Sequence, residues 1–247
     1  MEDHNMDQKQ EMEKLFQEFG ITCSELQLDQ FFKYYECLIE WNKVMNLTTI
    51  TEFHDVVIKH FLDSMAIAKF IQLQDQEGKK IRMIDVGTGA GFPGIPLKIL
   101  CPQIDLVLLD SLNKRLNFLN QVIQNLQLTS VTTVHGRAED IAHEKSYREQ
   151  FDLVCSRAVA NLSTLTELCI PFAKIDGTFI SYKSEKAEQE ITEAENAFHK
   201  LGCSVEQKIE YTLPDSNFYR TLLLIHKNKR TMDIYPRKAG TPAKQPL

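Results

Sequence analysis

Apolar positions follow two rhythms along the 247-residue chain. Through the first third they recur at helical spacing. Leu15 and Phe19 pair in a segment at 8–19, and Phe31, Tyr34, Tyr35, Leu38 and Trp41 form a stripe in a second segment at 24–45. Ser24 with Gln27 three residues on predicts a capping box for that second helix. A third helix is expected over 54–72, and Gly78 then breaks the pattern. From residue 81 short apolar runs alternate with helical segments. Strands are expected at 81–86, 104–109, 130–134, 151–155 and 177–182, and helices at 94–101, 113–127, 162–172 and 185–200. This βαβα order predicts a mostly parallel sheet with helices on both faces. Residues 203–212 and 219–226 alternate around Pro214-Asp215-Ser216-Asn217 and predict a closing antiparallel hairpin. The expected organisation is a helical extension at 1–78, a sheet domain at 79–226 and a tail at 227–247. The tail is polar, carries Pro236, Pro242 and Pro246, and is expected to be extended and mobile.

The most informative stretch follows the first strand. Asp85 closes the apolar run, and Gly87, Gly89, Gly91 and Gly94 then fall within eight residues ahead of a helix. A strand, a tight turn and a helix N-terminus form the place where an α/β sheet holds a nucleotide-like ligand. Two ligands compete. Gly89-x-Gly91-x-x-Gly94 fits the dinucleotide fingerprint, which would make the chain an NAD(P)-dependent oxidoreductase. Asp85-x-Gly87-x-Gly89-x-Gly91 resembles instead the first motif of the S-adenosylmethionine-dependent methyltransferases. A parallel sheet that ends in an antiparallel hairpin favours the methyltransferase fold.

Charge and cysteine usage narrow the setting. Residues 1–40 hold ten acids against three bases, whereas 227–247 hold six bases against one acid, so the chain is polarised although its net charge is −6. The six cysteines form no CxxC pair, which suits buried free thiols, a reduced cytoplasmic compartment and no metal site. No apolar run is long enough for a bilayer span, so no membrane partner is expected. A monomer is the default expectation.

Ligands in open α/β sheets bind beyond the carboxyl ends of the strands. After the second strand comes Asp110, whose carboxylate could accept from both hydroxyls of a ribose. After the third come Ala138 and Glu139, placed for the adenine side. Arg157 follows the fourth strand and needs an anionic partner, such as a ligand carboxylate, Glu139 or a phosphate. Lys183 follows the fifth. Lys114, Arg115, Arg137, Lys183, Arg237 and Lys238 are the candidate contacts for a phosphate-bearing substrate. His60, Asp63 and Ser64 lie close together on one helix and read as a packing cluster rather than a catalytic triad.

Several motifs together resemble one family. Trp41 to Thr48, Lys59 to Ser64, Asp85 to Pro96, Asp110 to Arg115, Gly136 to Glu139, Ser156-Arg157-Ala158-Val159 and Tyr235 to Thr241-Pro242 are similar, in order, to the glucose-inhibited division protein B family, also called RsmG. The resemblance implies a bacterial methyltransferase that uses S-adenosyl-L-methionine to methylate N7 of guanine 527 (rRNA numbering) in 16S rRNA or a small-subunit particle. It places cofactor contacts on Gly87, Phe92, Ala138, Glu139 and Arg157, beside Asp85, Gly89, Gly91 and Asp110.

Residue chemistry agrees with that reaction. Exocyclic amine methylation of DNA bases usually needs an Asp/Asn-Pro-Pro-aromatic stretch after the fourth strand, where this chain has Ser156-Arg157-Ala158-Val159, so DNA is not an expected partner. Attack through carbon-5 of cytosine needs a cysteine nucleophile, but Cys155 ends the apolar run from Phe151. Guanine N7 has a free lone pair and no proton to remove, so no catalytic general base is expected. A non-catalytic RNA-binding assembly factor with a vestigial pocket is the remaining alternative.

Overall fold

The computed structural model describes residues 2–71, 80–157 and 160–247. The boundary placed at 78/79, residue 72 of the expected third helix, and Ala158 and Val159 of the expected motif lie outside the described residues. Two helices, α1 (Glu2–Glu18) and α2 (Glu25–Asn42), open the chain. The capping box at Ser24 and Gln27 forms. Gln27 also donates to the carbonyls of Ile99 and Leu100 at 2.8 and 3.1 Å, so the cap that starts one helix satisfies the frayed end of another.

The expected third helix is divided. It begins as α3 (Phe53–Val56), widens into a π-helical stretch at Val57–Leu62, and continues as α4 (Asp63–Phe70). Seven strands follow: β1 (Ile81–Val86), β2 (Ile104–Asp110), β3 (Val131–His135), β4 (Phe151–Ser156), β5 (Ala173–Lys183), β6 (Cys203–Thr212) and β7 (Tyr219–Lys227). Between them lie α5 (Gly94–Leu100), α6 (Asn113–Asn125), α7 (Ala138–Ile141), α8 (Leu162–Cys169), α9 (Ala187–Glu193) and α10 (Glu195–Leu201). Expected helices ran longer in two places. The helix at 162–172 tightens into a 3₁₀ turn at Ile170–Phe172, where Pro171 has no N–H to continue the ladder. The segment at 185–200 breaks into α9 and α10 at Ala194.

The strands form one sheet in the order β3-β2-β1-β4-β5-β7-β6. The first five are parallel, β7 runs antiparallel to β5, and β6 runs antiparallel to β7. Both faces are apolar because strands in a covered parallel sheet bury alternate residues on opposite sides. Met83, Leu106, Leu108 and Leu153 face α1, α2, α4, α5 and α6, while Ile84, Val107, Val154 and Phe179 face α7, α8 and α10. The aromatic stripe of α2 therefore belongs to the same core as the sheet.

The tail is not extended. It turns back over α8 and ends in α11 (Thr241–Lys244), with Tyr235 buried. Arg148 holds it by donating to the carbonyls of Thr231, Met232 and Tyr235 at 2.8–3.1 Å. Composition misled here because it counts charges and prolines without the interior groups that pair with them.

Candidate active site

The glycine turn leaves β1 as Gly87-Thr88-Gly89-Ala90-Gly91. Gly87 and Gly89 adopt φ of +72° and +61°, and a Cβ at either would meet nothing within 4 Å. These two glycines therefore bare their backbone to open space. Gly91 serves packing instead: a Cβ there would come within 2.7 Å of the Tyr34 hydroxyl and 2.9 Å of Leu119. Tyr34, from α2, donates its hydroxyl to the Ala90 carbonyl.

Asp85 braces the turn from beneath. It is fully buried and accepts from Thr88 Oγ1 at 2.7 Å and from the Gly94 N–H at 3.0 Å. Burial raises its carboxyl from 3.8 to about 6, against the pull of those two donors. The N-terminus of α5 thus points an N–H at a protein carboxylate. The Gly94 N–H is therefore not left free for a dinucleotide pyrophosphate, which argues against the fingerprint Gly89-x-Gly91-x-x-Gly94.

A crevice of about 180 Å³ opens beside Gly87. Asp110, Gly136, Arg137, Ala138 and Glu139 line it, with Leu165 and Leu168 of α8 closing one side. Asp110 Oδ2 accepts from the Gly89 N–H at 2.9 Å, and its Oδ1 accepts from Leu112 N at 2.9 Å. Arg115 approaches Asp110 at 3.3 Å and keeps its side chain partly exposed. Lys114 and Arg137 are exposed. Glu139 accepts from the backbone N–H of Gly240 at 2.9 Å, not from Arg157.

Arg157 lines a second, larger cleft of about 870 Å³. Its guanidinium donates to Asp63 Oδ2 at 3.1 Å and to the carbonyl of Lys59 at 3.1 Å, contacts His60 Nδ1 at 3.0 Å, and lies 5.1 Å from the Phe92 ring centroid. His60 stacks on Phe92 at 4.6 Å, and Thr48 Oγ1 contacts its Nε2 at 2.8 Å. Burial, then the nearby Arg157 charge, lowers the imidazole from 6.5 to about 3. Phe92, His60 and Arg157 thus form a rigid partition beside the glycine turn. The cluster expected at His60, Asp63 and Ser64 is a packed polar network: Ser64 donates to the His60 carbonyl at 2.5 Å, and Asp63 also accepts from Tyr211 at 2.9 Å and approaches Arg220 at 3.3 Å. Asp63 was the partner that sequence reasoning missed for Arg157. Its signal is an acid that follows the apolar pair Phe61-Leu62, at the first residue of α4, directly after a π-helical stretch, a distortion frequent at functional sites.

Lys183 is buried and donates to Glu190 at 2.7 Å and to the Ala160 carbonyl at 2.8 Å, which ties the loop after β4 to α9. Arg237 pairs with Glu167, whose side chain is fully buried, at 2.6 Å. Lys238 is exposed. Cys155 is wholly buried with its thiol raised far above the ordinary range by burial, which suits packing and not nucleophilic attack. No cluster of three or more His, Cys, Asp or Glu among the described residues could hold a metal ion. Nor is any helix among them long and apolar enough to cross a membrane.

The bared backbone at Gly87 and Gly89 and the acids Asp110 and Glu139 suit a ligand with a cationic centre and a ribose, as S-adenosyl-L-methionine has. A 3-2-1-4-5-7-6 sheet with that crevice beyond β1 and β2 defines an S-adenosylmethionine-dependent methyltransferase. M. jannaschii TYW2, solved in complex with AdoMet, has a similar fold: TM-score 0.51, 15% identity, 66% of this chain and 75% of that one covered. The sequence profile described as "rRNA small subunit methyltransferase G" matches residues 27–218. The chain is 50% identical over 228 residues to the Ribosomal RNA small subunit methyltransferase G of Lachnoclostridium phytofermentans, covering 92% of this chain and 93% of the relative. It is 47% identical over 242 residues to that of Clostridium kluyveri, covering 98% and 100%. The chain belongs to the rRNA small subunit methyltransferase G family.

Proposed function

We propose that this chain transfers a methyl group to N7 of a guanine in small-subunit 16S rRNA, guanine 527 in rRNA numbering. One observation carries the reading: the acid-bearing crevice, lined by Ser156, and the cation-rich cleft, lined by the next residue Arg157, are served by one strand end, and the His60 imidazole stacked there on Phe92 is no effective proton acceptor. His60 is held neutral, with a very weak basicity near 3, and both its ring nitrogens are engaged. Guanine N7 is the acceptor that needs no such group.

S-adenosyl-L-methionine supplies an electrophilic methyl on a sulfonium. Gly87 and Gly89 offer it backbone, Asp110 a ribose acceptor, and Ala138 and Glu139 the adenine side. The chain then has to bring two reactants into line and exclude competing water. Positioning of that kind is worth up to about 7–11 kcal/mol of barrier. Asp110 and Glu139 also favour the positive charge carried through the reaction. In the cleft, Lys59, Arg157, Lys183, Lys186 and Arg220 outnumber Asp63, Glu190 and Glu193, which suits a phosphate backbone. Exposed Lys114, Arg137 and Lys238 extend the candidate RNA contacts. The target guanine must be unpaired or unstacked, because a regular A-form helix hides N7 in a narrow groove.

The test is transfer of labelled methyl to naked 16S rRNA, 30S particles and 70S ribosomes, with nucleoside mass spectrometry of the product. One 7-methylguanosine per small-subunit rRNA is expected. Methylation at another atom overturns the N7 assignment, and no transfer to any of the three leaves a binding-only protein.

A further inference from the structure

The β6–β7 hairpin puts an aromatic ring at the mouth of the large cleft. Strand β7 is antiparallel to β5, with Thr221 opposite Lys183, so the start of β7 lies at the ligand end of the parallel strands. The turn before it, residues 213–218, therefore projects over the site. Leu213 enters the core at 1% exposure, but Phe218, at the other end of that turn, is 42% exposed. The Leu213 N–H to Phe218 carbonyl bond at 3.3 Å closes the turn, and Ser216 Oγ bonds the Phe218 N–H at 3.3 Å. Backbone closure, rather than core packing, thus holds the ring outward. Two cations lie over the Phe218 ring: Lys59 Nζ is 4.8 Å from the centroid and the Arg220 guanidinium 5.5 Å. Arg220 is fixed by Asp63, which also fixes Arg157 at the inner wall of the same cleft. Lys59 is held outside that network by Asp55, itself 42% exposed at its side chain, an ion pair that a phosphate can replace at little cost.

We propose that Phe218 is a stacking platform for an unpaired base of the RNA strand entering the cleft, with Lys59 and Arg220 contacting the phosphates beside it. This rests on the rRNA methyltransferase reading above. An exposed aromatic ring in contact with cations is the arrangement that binds single-stranded nucleic acid without demanding a particular base. It gives grip on a splayed strand without selecting the methylated base. The platform lies on the hairpin and the acceptor nucleotide lies at the glycine turn, so the stacked base is a neighbour of the target and not the target itself.

The test compares wild type, Phe218→Ala, Phe218→Trp and Lys59→Gln in methyl transfer to naked 16S rRNA and to 30S particles, with Tm and S-adenosylhomocysteine affinity measured alongside. Phe218→Ala should lower kcat/KM for RNA about 10- to 100-fold, chiefly through KM, and Phe218→Trp should restore most of it. Lys59→Gln should reduce the salt dependence of RNA binding by about one phosphate contact. Cofactor affinity and Tm should not move. Full activity in Phe218→Ala overturns the proposal, as does an equal loss in both Phe218 variants with a lowered Tm. Loss on 30S particles alone, with naked rRNA unaffected, assigns the ring to a ribosomal protein and also overturns it. A wild-type protein that transfers to no rRNA rejects the methyltransferase reading itself, a different failure from an active wild type matched by Phe218→Ala.

Discussion

Gly240 donates its backbone N–H to the carboxylate of Glu139 at 2.9 Å, so the C-terminal segment grips a wall of the crevice beside Gly87. His143, just past α7, contacts the Pro236 carbonyl at 2.9 Å, and α8, which closes the crevice, is tied to the same segment through Thr164 and Pro242. Deleting residues 237–247 should therefore weaken S-adenosylhomocysteine binding roughly tenfold or more, the scale of a lost hydrogen bond to a charged group. Calorimetry on the truncated protein checks this. An unchanged affinity would show that Glu139 keeps its position unaided.

The same segment is anchored by Arg237 on fully buried Glu167. Arg237→Ala leaves that carboxylate uncompensated and should cost about 3 kcal/mol in urea unfolding, near the low end for a broken buried pair because Arg237 is partly exposed. Lys238→Ala, one residue on and exposed, should change stability by less than about 0.5 kcal/mol.

The glycines of the turn should fail in different ways. Gly87→Asp fills open space at positive φ and sets a charge against the carboxylate end of the cofactor, so it should abolish cofactor binding while the protein stays folded. Gly91→Ala meets Tyr34, Ile95 and Leu119 within 2.7–2.9 Å and should lower Tm first, with cofactor affinity falling in consequence. Thermal unfolding and calorimetry on the two variants separate the cases.

Two buried groups make opposite contributions to stability as pH changes. His60 has its proton affinity lowered from 6.5 to about 3, so its contribution is complete above 6.5 and shrinks as pH falls toward 3. Asp85 is raised from 3.8 to about 6, so its contribution is complete below 3.8 and is lost as pH rises through 6. Between pH 6 and 3.8 the two oppose each other. His60→Asn removes only the first. Its urea stability should gain on wild type as pH drops below 6.5, by up to about 1.4 kcal/mol per pH unit. Parallel profiles for the two proteins would mean that the imidazole takes up its proton as readily in the fold as in the unfolded chain.

Much of this architecture was readable from residue order. The βαβα rhythm, the Ser24 cap and the Asp85 glycine turn are local patterns, and each recurs where it was expected. What escaped depends on partners distant in sequence. Nothing near Arg157 indicates Asp63, 94 residues earlier, and nothing near Arg237 indicates Glu167, 70 residues earlier. The four glycines looked alike in sequence, yet Gly87 and Gly89 face open space while Gly91 faces Tyr34, because that depends on what α2 places above the turn. Lys183 was legible as a cation beyond β5 but not as a tether between Ala160 and Glu190.

The hydroxyl of Tyr34 on the Ala90 carbonyl imposes an order on the birth of the enzyme. A ribosome releases α1 and α2 well before β1 and its turn. Their aromatic side chains have no sheet to cover until more than fifty further residues have emerged, counting from Tyr34 to Ala90. The nascent front end thus leaves its apolar face uncovered for that interval. The glycine turn gains its Tyr34 brace only when α2 and the segment after β1 have met.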